Sequence, residues 1–88
     1  MYLITFFSQF DANMFFRTFS SKGKVVRKPV PRELSSSCGT CCFFTPENES
    51  SDYNQLFLNA DYEKVYRVDM DETKEKAKAN YVMLVEKE

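Results

Sequence analysis

The chain has 88 residues, of which 43% are hydrophobic and 28% charged, and its formal net charge is −1 at pH 7. A chain of this length forms one small domain, and these fractions are ordinary for a folded globular protein. Because the sequence has no histidine, Ser-His and Cys-His catalysis and histidine-containing zinc sites are excluded.

The sequence predicts a cytoplasmic protein. Its three cysteines are an odd number and make a poor disulfide framework for secretion, which favours a reducing compartment. We expect no signal peptide, since the apolar N-terminal segment is short and lacks a basic start. No segment reaches the ~18 apolar residues of a membrane helix, so no membrane partner is expected.

The first predicted elements are a strand and a helix. Tyr2–Phe7 is apolar and rich in β-branched and aromatic residues, which predicts a central strand buried on both faces. Ser8 and Asp11 have the spacing of a capping box, so a helix is expected to begin there. Gly23 is expected to end this helix in the left-handed conformation. The apolar stripe of the helix is formed by Ala12, Phe15, Phe16 and Phe19.

Three more strands and a second helix are predicted further along the chain. Lys24–Val30 predicts a short basic strand, and Pro29 would place it at a sheet edge because proline lacks the amide donor. Thr40–Thr45 predicts the third strand and Val65–Val68 the fourth. The second helix is indicated by helical spacing of Tyr53, Leu56, Phe57 and Ala60.

The order β-α-β-β-α-β is that of ferredoxin-like folds. We therefore expect an α+β sandwich over residues 1–70, with a four-stranded antiparallel sheet and two helices on one face. Residues 71–88 would form a C-terminal extension that is helical or mixed. Aromatic side chains left on the open face of the sheet would favour a homodimer.

The charges are unevenly distributed. Residues 1–33 carry six basic and two acidic side chains, a balance of +4, whereas residues 34–88 carry six and eleven, a balance of −5. Six of the basic residues lie between positions 17 and 32 with no acid among them. They form either a solvated face or a positive field beside the cysteines. The acidic overall balance and the scattered lysines do not favour nucleic acid as a partner.

The segment from Pro29 to Cys42 contains all three cysteines. Cys38 follows three serines and precedes Gly39, a sequence suited to a tight turn with inward-pointing amides that would stabilise a thiolate or persulfide. Arg32, Ser36, Ser37 and Gly39 are the residues that would steady this anion or give a partner access to it. The alternative that the residues leave open is a glycine turn with a structural cysteine.

The spacing from Cys38 to Cys41 also matches C-x-x-C, which is typical of thiol oxidoreductases. However, the segment after Cys41 has the pattern of a strand, so the helix that activates such a motif would be missing. Cys41 and Cys42 are better interpreted as small apolar strand residues. Because adjacent strand residues point apart, neither a metal site nor another cofactor is expected.

Three segments, Tyr2–Phe6, Asp11–Ala12 and Pro29–Gly39, resemble small bacterial domains described as selenium/sulfur carrier-like proteins. The resemblance covers roughly residues 2–70, and its most specific part is the proline-arginine-glutamate segment that leads through the serines to cysteine-glycine. It implies one carrier cysteine, which falls on Cys38, and it implies nothing about Cys41 and Cys42.

The leading hypothesis is a carrier that takes sulfur or selenium onto Cys38 from a cysteine desulfurase-type donor and passes it to an acceptor enzyme. Such exchange needs an exposed thiolate but no histidine base, so we expect a carrier or binding protein rather than an enzyme with its own turnover. One alternative is a non-catalytic dimeric interaction module. The other is a dithiol redox protein that uses C-x-x-C.

Overall fold

The structure of the protein, a computed structural model, describes residues 1–47, 56–57, 60–71 and 78–87. Within these ranges one helix of eleven residues is found, too short to cross a membrane. The elements in chain order are β1 (Tyr2–Thr5), α1 (Gln9–Phe19), β2 (Gly23–Pro29), β3 (Thr40–Pro46), β4 (Lys64–Asp71) and β5 (Lys78–Glu86).

The strands form one five-stranded sheet in the order β2-β3-β1-β4-β5, and every neighbouring pair is antiparallel. The predicted four-stranded ferredoxin-like sandwich with two helices is therefore wrong. The predicted positions of the first three strands agree with this order, since β1 and β3 are interior and β2 is an edge. The predicted second helix, residues 53–60, falls largely outside the described residues.

The fifth strand comes from the C-terminal segment. β5 pairs along the whole of β4, from Lys64 opposite Glu86 to Asp71 opposite Lys78, with one register shift. Helical and strand patterns both fit the residues around Tyr81–Val85, but the free edge of β4 offers unpaired backbone groups along its length. Pairing with that edge explains why this segment is extended.

The first strand is the centre of the sheet, as predicted. Leu3, Ile4 and Thr5 are fully buried because β3 and β4 flank them and both sheet faces are covered at this point. The hydroxyl oxygen of Thr5 has no hydrogen-bond partner among the described residues. An unmet polar group of this kind costs stability.

Helix α1 begins as the capping box predicts. The amide of Asp11 donates to the Ser8 hydroxyl oxygen at 3.2 Å, and Ala12, Phe15 and Phe19 are buried. The helix ends at Ser20, so the prediction that Gly23 ends it in the left-handed conformation is wrong. Gly23 begins β2, where a side chain would collide with the backbone of β3 at Thr45 and Pro46.

The core lies in two layers, one on each side of the sheet. The helix face is the layer under α1, and the far face is the layer on the opposite side. Buried on the helix face are Ile4, Phe6, Ala12, Phe15, Phe19, Cys42, Phe44, Phe57, Tyr62 and Val65. Buried on the far face are Leu3, Cys41, Tyr66 and Val68, against which Val30, Leu34, Phe43 and Tyr81 pack. The face expected to be open is thus partly covered by the segment between β2 and β3.

Candidate functional site

The candidate site is the connection between β2 and β3, residues 30–39, which we call the cysteine loop. The amide of Val30 donates to the carbonyl oxygen of Gly39 at 3.1 Å and closes the base of the loop. Val30 and Leu34 pack on the far face, whereas Cys38 packs against the core of the helix face. The loop therefore wraps around the end of the sheet where β1 ends and α1 begins.

Two serines fasten the loop to the sheet. The Ser36 hydroxyl donates to the carbonyl oxygen of Phe6 at 3.2 Å. The amide and the hydroxyl of Ser37 both donate to the carboxylate of Glu63, at 3.2 and 2.6 Å. Since both hydroxyl protons point to these acceptors, the contacts of Ser36 and Ser37 are those of loop anchors. Their role in steadying an anion stays a prediction.

Glu63 is the fixed point to which the loop is tied. Its side chain is buried, and its backbone makes two hydrogen bonds to neighbouring segments. The Glu63 amide donates to the Thr5 carbonyl oxygen at 2.7 Å, and the Lys87 amide donates to the Glu63 carbonyl oxygen at 2.8 Å. Burial raises the pKa of the Glu63 carboxyl, but the two hydrogen bonds from Ser37 and the charge of Lys64 outweigh burial, so the pKa is lowered overall. The carboxylate therefore stays ionised at neutral pH.

Helix α1 supplies a third tether. The side-chain amide of Gln9 donates to the carbonyl oxygen of Cys38 at 3.2 Å and to the hydroxyl oxygen of Thr40 at 2.7 Å. Gln9 is the first residue of α1, so the position of the Cys38 backbone is coupled directly to the start of the helix. Cys38 is consequently held from both sides, through Ser37 and through its own carbonyl group.

Cys38 itself is half-buried, and its thiol donates to the carbonyl oxygen of Thr40 at 3.4 Å. Gly39 has φ of 75°, a left-handed conformation that glycine adopts without strain and that suits the tight turn expected here. A Cβ at Gly39 would meet no protein atom within 4 Å beyond its chain neighbours Cys38 and Thr40. Within the described ranges, the amides of Cys38 and Gly39 donate to no protein acceptor. These two N–H groups are therefore free to bind solvent or an anion.

Arg32 is exposed. Across the residues that the structure describes, its guanidinium takes part in no hydrogen bond or ion pair, and no contact brings it to Cys38. Its stabilising role beside the sulfur stays a prediction. The basic residue that the structure fixes near the loop is Arg27 of β2, whose Nη1 donates to the Asn13 side-chain oxygen at 2.6 Å.

Cys41 and Cys42 differ sharply from Cys38. Both are fully buried in β3, with Cys41 on the far face and Cys42 on the helix face. Burial, reinforced by neighbouring cysteines, raises the pKa of Cys41 to about 11 and that of Cys42 to about 12, despite the opposing charges of Lys28 and Arg27. Both thiols therefore stay protonated at neutral pH.

The arrangement disfavours C-x-x-C redox chemistry. Cys38 packs against the core of the helix face, whereas Cys41 is buried on the far face, so the two thiols pack into different layers of the core. All three cysteines are free. Among the described residues, no three potential ligands converge as they would around a metal ion. The local chemistry is that of one accessible thiol.

Comparison with known protein families places the chain in one of them. The family described as "Putative Se/S carrier protein-like" matches residues 1–67. The chain belongs to this family. The matched part contains β1 to β3, the cysteine loop, Glu63 and the start of β4. No curated protein and no solved structure matches the chain.

Sequence reasoning missed three residues around the cysteine loop, namely Gln9, Glu63 and Arg27. Gln9 and Glu63 lie 29 and 26 positions from the loop residues that they bind, so only the strand order brings them there. Gln9 was open to prediction, because the end of β1 and the start of β3 meet at one sheet end when these strands are antiparallel neighbours. Arg27 was noticed only as one member of a basic cluster.

Proposed function

We propose that this protein carries sulfur or selenium on Cys38, taking it from a cysteine desulfurase-type donor and passing it to an acceptor enzyme. Family membership supports the carrier class. The observation that carries the assignment to Cys38 is the contrast in burial. Cys38 is half-buried beside a glycine with open space, whereas Cys41 and Cys42 are fully buried.

Loading is a thiol exchange. Cys38 loses its proton to solvent, and its thiolate attacks the terminal sulfur of a persulfide on the donor cysteine. The new bond joins the Cys38 sulfur to that terminal sulfur, while the donor S–S bond breaks and the donor thiolate leaves. The donor persulfide is reduced to a thiol as Cys38 is oxidised to a persulfide, so the step needs no external oxidant or reductant.

Discharge reverses the roles. A thiolate of the acceptor attacks the terminal sulfur, the bond to the Cys38 sulfur breaks, and the Cys38 thiolate is regenerated. A terminal selenium would be bound and released in the same manner. A persulfide is anionic near neutral pH, and in this proposal the N–H groups of Cys38 and Gly39 stabilise it; the left-handed backbone of Gly39, with φ of 75°, supports that role.

The exposed surface around Cys38 suits a carrier that must meet two proteins in turn. The space beside the Gly39 Cα is open, and the loop is held in place by Ser36, Ser37 and Gln9. A fixed, accessible sulfur lowers the ordering cost of each encounter.

The dimeric interaction module has no specific support here. It was expected to pair through an open sheet face, but Leu3, Tyr66 and Val68 on that face are already buried within one chain.

The test is intact-protein mass after incubation with a cysteine desulfurase and cysteine, without reductant. We expect a reducible gain of one sulfur atom in the wild type and none in Cys38→Ser. Circular dichroism should show that Cys38→Ser keeps the fold, because the half-buried thiol makes one weak hydrogen bond, to Thr40. Loading that persists in Cys38→Ser would overturn the assignment.

A further inference from the structure

A shallow groove of about 310 Å³ lies beside the cysteine loop. Gly39 and Thr40, which follow Cys38, form one side of it. Gln9 also lines the groove while it holds the Cys38 carbonyl oxygen at 3.2 Å. The groove therefore opens next to the backbone of the reactive cysteine. Its remaining lining residues are Asn13, Arg27, Lys28 and Pro29.

Arg27 gives this groove a fixed positive charge. Its Nη1 donates to the Asn13 side-chain oxygen at 2.6 Å, and its guanidinium carbon lies 4.6 Å from the centre of the Phe16 ring. These two contacts hold the guanidinium against α1 and leave most of its N–H groups without a protein acceptor among the described residues. No carboxylate of those residues pairs with it.

Within the part of the chain that the structure describes, the groove has Arg27 as its cation on the helix face. Lys28 lines it, but the Lys28 ammonium lies 5.5 Å from the centre of the Phe43 ring, and Phe43 packs on the far face. Arg27 is on the helix face, against Asn13 and Phe16. One planar guanidinium with free N–H groups suits a planar anion of single charge, which is the chemistry of a carboxylate.

We infer that the groove binds a carboxylate of the molecule that exchanges sulfur with Cys38. Arg27 is the main contact, and the Asn13 side-chain amide and the Thr40 hydroxyl are further donors at the rim. The inference rests on the proposed function, whose exchange partner it characterises. Two sources share this chemistry: the carboxylate of an amino-acid-sized thiol, and an acidic side chain of the protein donor.

The first experiment compares two small disulfides, dithiodipropionate, which carries carboxylates, and the neutral bis(2-hydroxyethyl) disulfide. The Cys38 thiolate attacks one sulfur of the probe, the probe S–S bond breaks, and a mixed disulfide forms as the other half leaves as a thiolate. Dividing the rate with the charged probe by the rate with the neutral probe, for wild type and variant alike, cancels differences between the leaving groups.

We expect Arg27→Gln to lower this rate ratio about five- to tenfold, because a charge-assisted hydrogen bond to the carboxylate is lost. Arg27→Lys should lie between the two, since it keeps the charge without the planar fork. Arg17→Gln is the matched control: it removes one positive charge from exposed α1 surface outside the groove and should leave the ratio unchanged.

The second experiment measures the rate at which a cysteine desulfurase loads the same variants. A loss confined to the small carboxylated disulfide assigns the groove to a free thiol compound, and a loss confined to enzymatic loading assigns it to an acidic side chain of the donor. If Arg27→Gln matches Arg17→Gln in both experiments, the inference is overturned. The disulfide exchange needs only the Cys38 thiol. It therefore tests the groove even if Cys38 does not act as a carrier of sulfur or selenium.

Discussion

Cys38 and the pair Cys41 and Cys42 are separated by two residues but occupy different chemical environments. Cys38 lies half-buried in a loop, next to a glycine in the left-handed conformation and tied by hydrogen bonds to α1 and to Glu63. The pair lies in β3 with no exposed surface and with raised pKa values. The comparison shows that position relative to the sheet, and not residue type, decides which thiol can react.

Alkylation should show the largest difference between the two regions. In the folded protein at pH 7.5 to 8, we expect Cys38 to be alkylated about a thousandfold faster than Cys41 and Cys42. The buried pair should react only after the fold opens. Burial also keeps these two thiols protonated in this pH range. Rates of iodoacetamide labelling, resolved by mass spectrometry, test this.

The control for alkylation is the same reaction in denaturant, where the three rates should converge. Equal rates in the folded protein would contradict the contrast, because they would mean that β3 opens as easily as the cysteine loop.

Replacing Glu63 tests what holds the loop. Glu63→Gln should lower the free energy of unfolding by about 1–3 kcal/mol, because the Ser37 amide and hydroxyl lose a buried ionised acceptor. Urea unfolding measures this. Since folding lowers the pKa of Glu63, its contribution is present above the unfolded value near 4.5 and is lost as the pH falls through the folded value.

The acid-induced loss of stability should therefore be smaller in Glu63→Gln than in the wild type. The matched control is Glu47→Gln, which removes a carboxylate from an exposed residue. If the two variants lose equal stability and show equal acid dependence, Glu63 is not the anchor of the loop.

Gly39→Ala should have the smallest effect on stability, about 1 kcal/mol, because a side chain strains the left-handed backbone although its Cβ would meet no atom beyond the chain neighbours within 4 Å. Small reagents should still label Cys38 at the wild-type rate. Loading by a protein donor should be slower, because the proposed function has the donor reach Cys38 past Gly39, where the methyl group is added. Unchanged enzymatic loading would show that access past Gly39 is unimportant.

The elements near the site could be predicted where local rules decide them. The N-cap at Ser8, the burial of β1 and the turn at Gly39 all follow from short-range sequence patterns, and all are found. β5 was not predicted, because a strand at a sheet edge depends on a partner strand elsewhere in the chain. The serines of the loop were recognised, but their acceptors were not.

The missing information is the path of the loop across the end of the sheet. The acceptor of Ser37 is Glu63, 26 positions away, and Cys38 is held by Gln9, 29 positions away. Such contacts follow from strand order and not from spacing. The order of the first four strands would have brought these residues to one end of the sheet, but it does not specify which side chains meet.

The central claim is that Cys38 alone carries the transferred sulfur. Its most direct test uses two variants, one with Cys38 as its only cysteine and one that lacks Cys38. One keeps Cys38 alone, with Cys41→Ala and Cys42→Ala; the other keeps the buried pair, with Cys38→Ser. Each is loaded with radiolabelled sulfur by a cysteine desulfurase, separated from the donor, and mixed with a thiol acceptor. We predict that the Cys38-only protein takes up one sulfur atom and passes it on, while the other takes up none. Uptake by the protein that keeps only Cys41 and Cys42, or uptake by Cys38 without release, would contradict the carrier role.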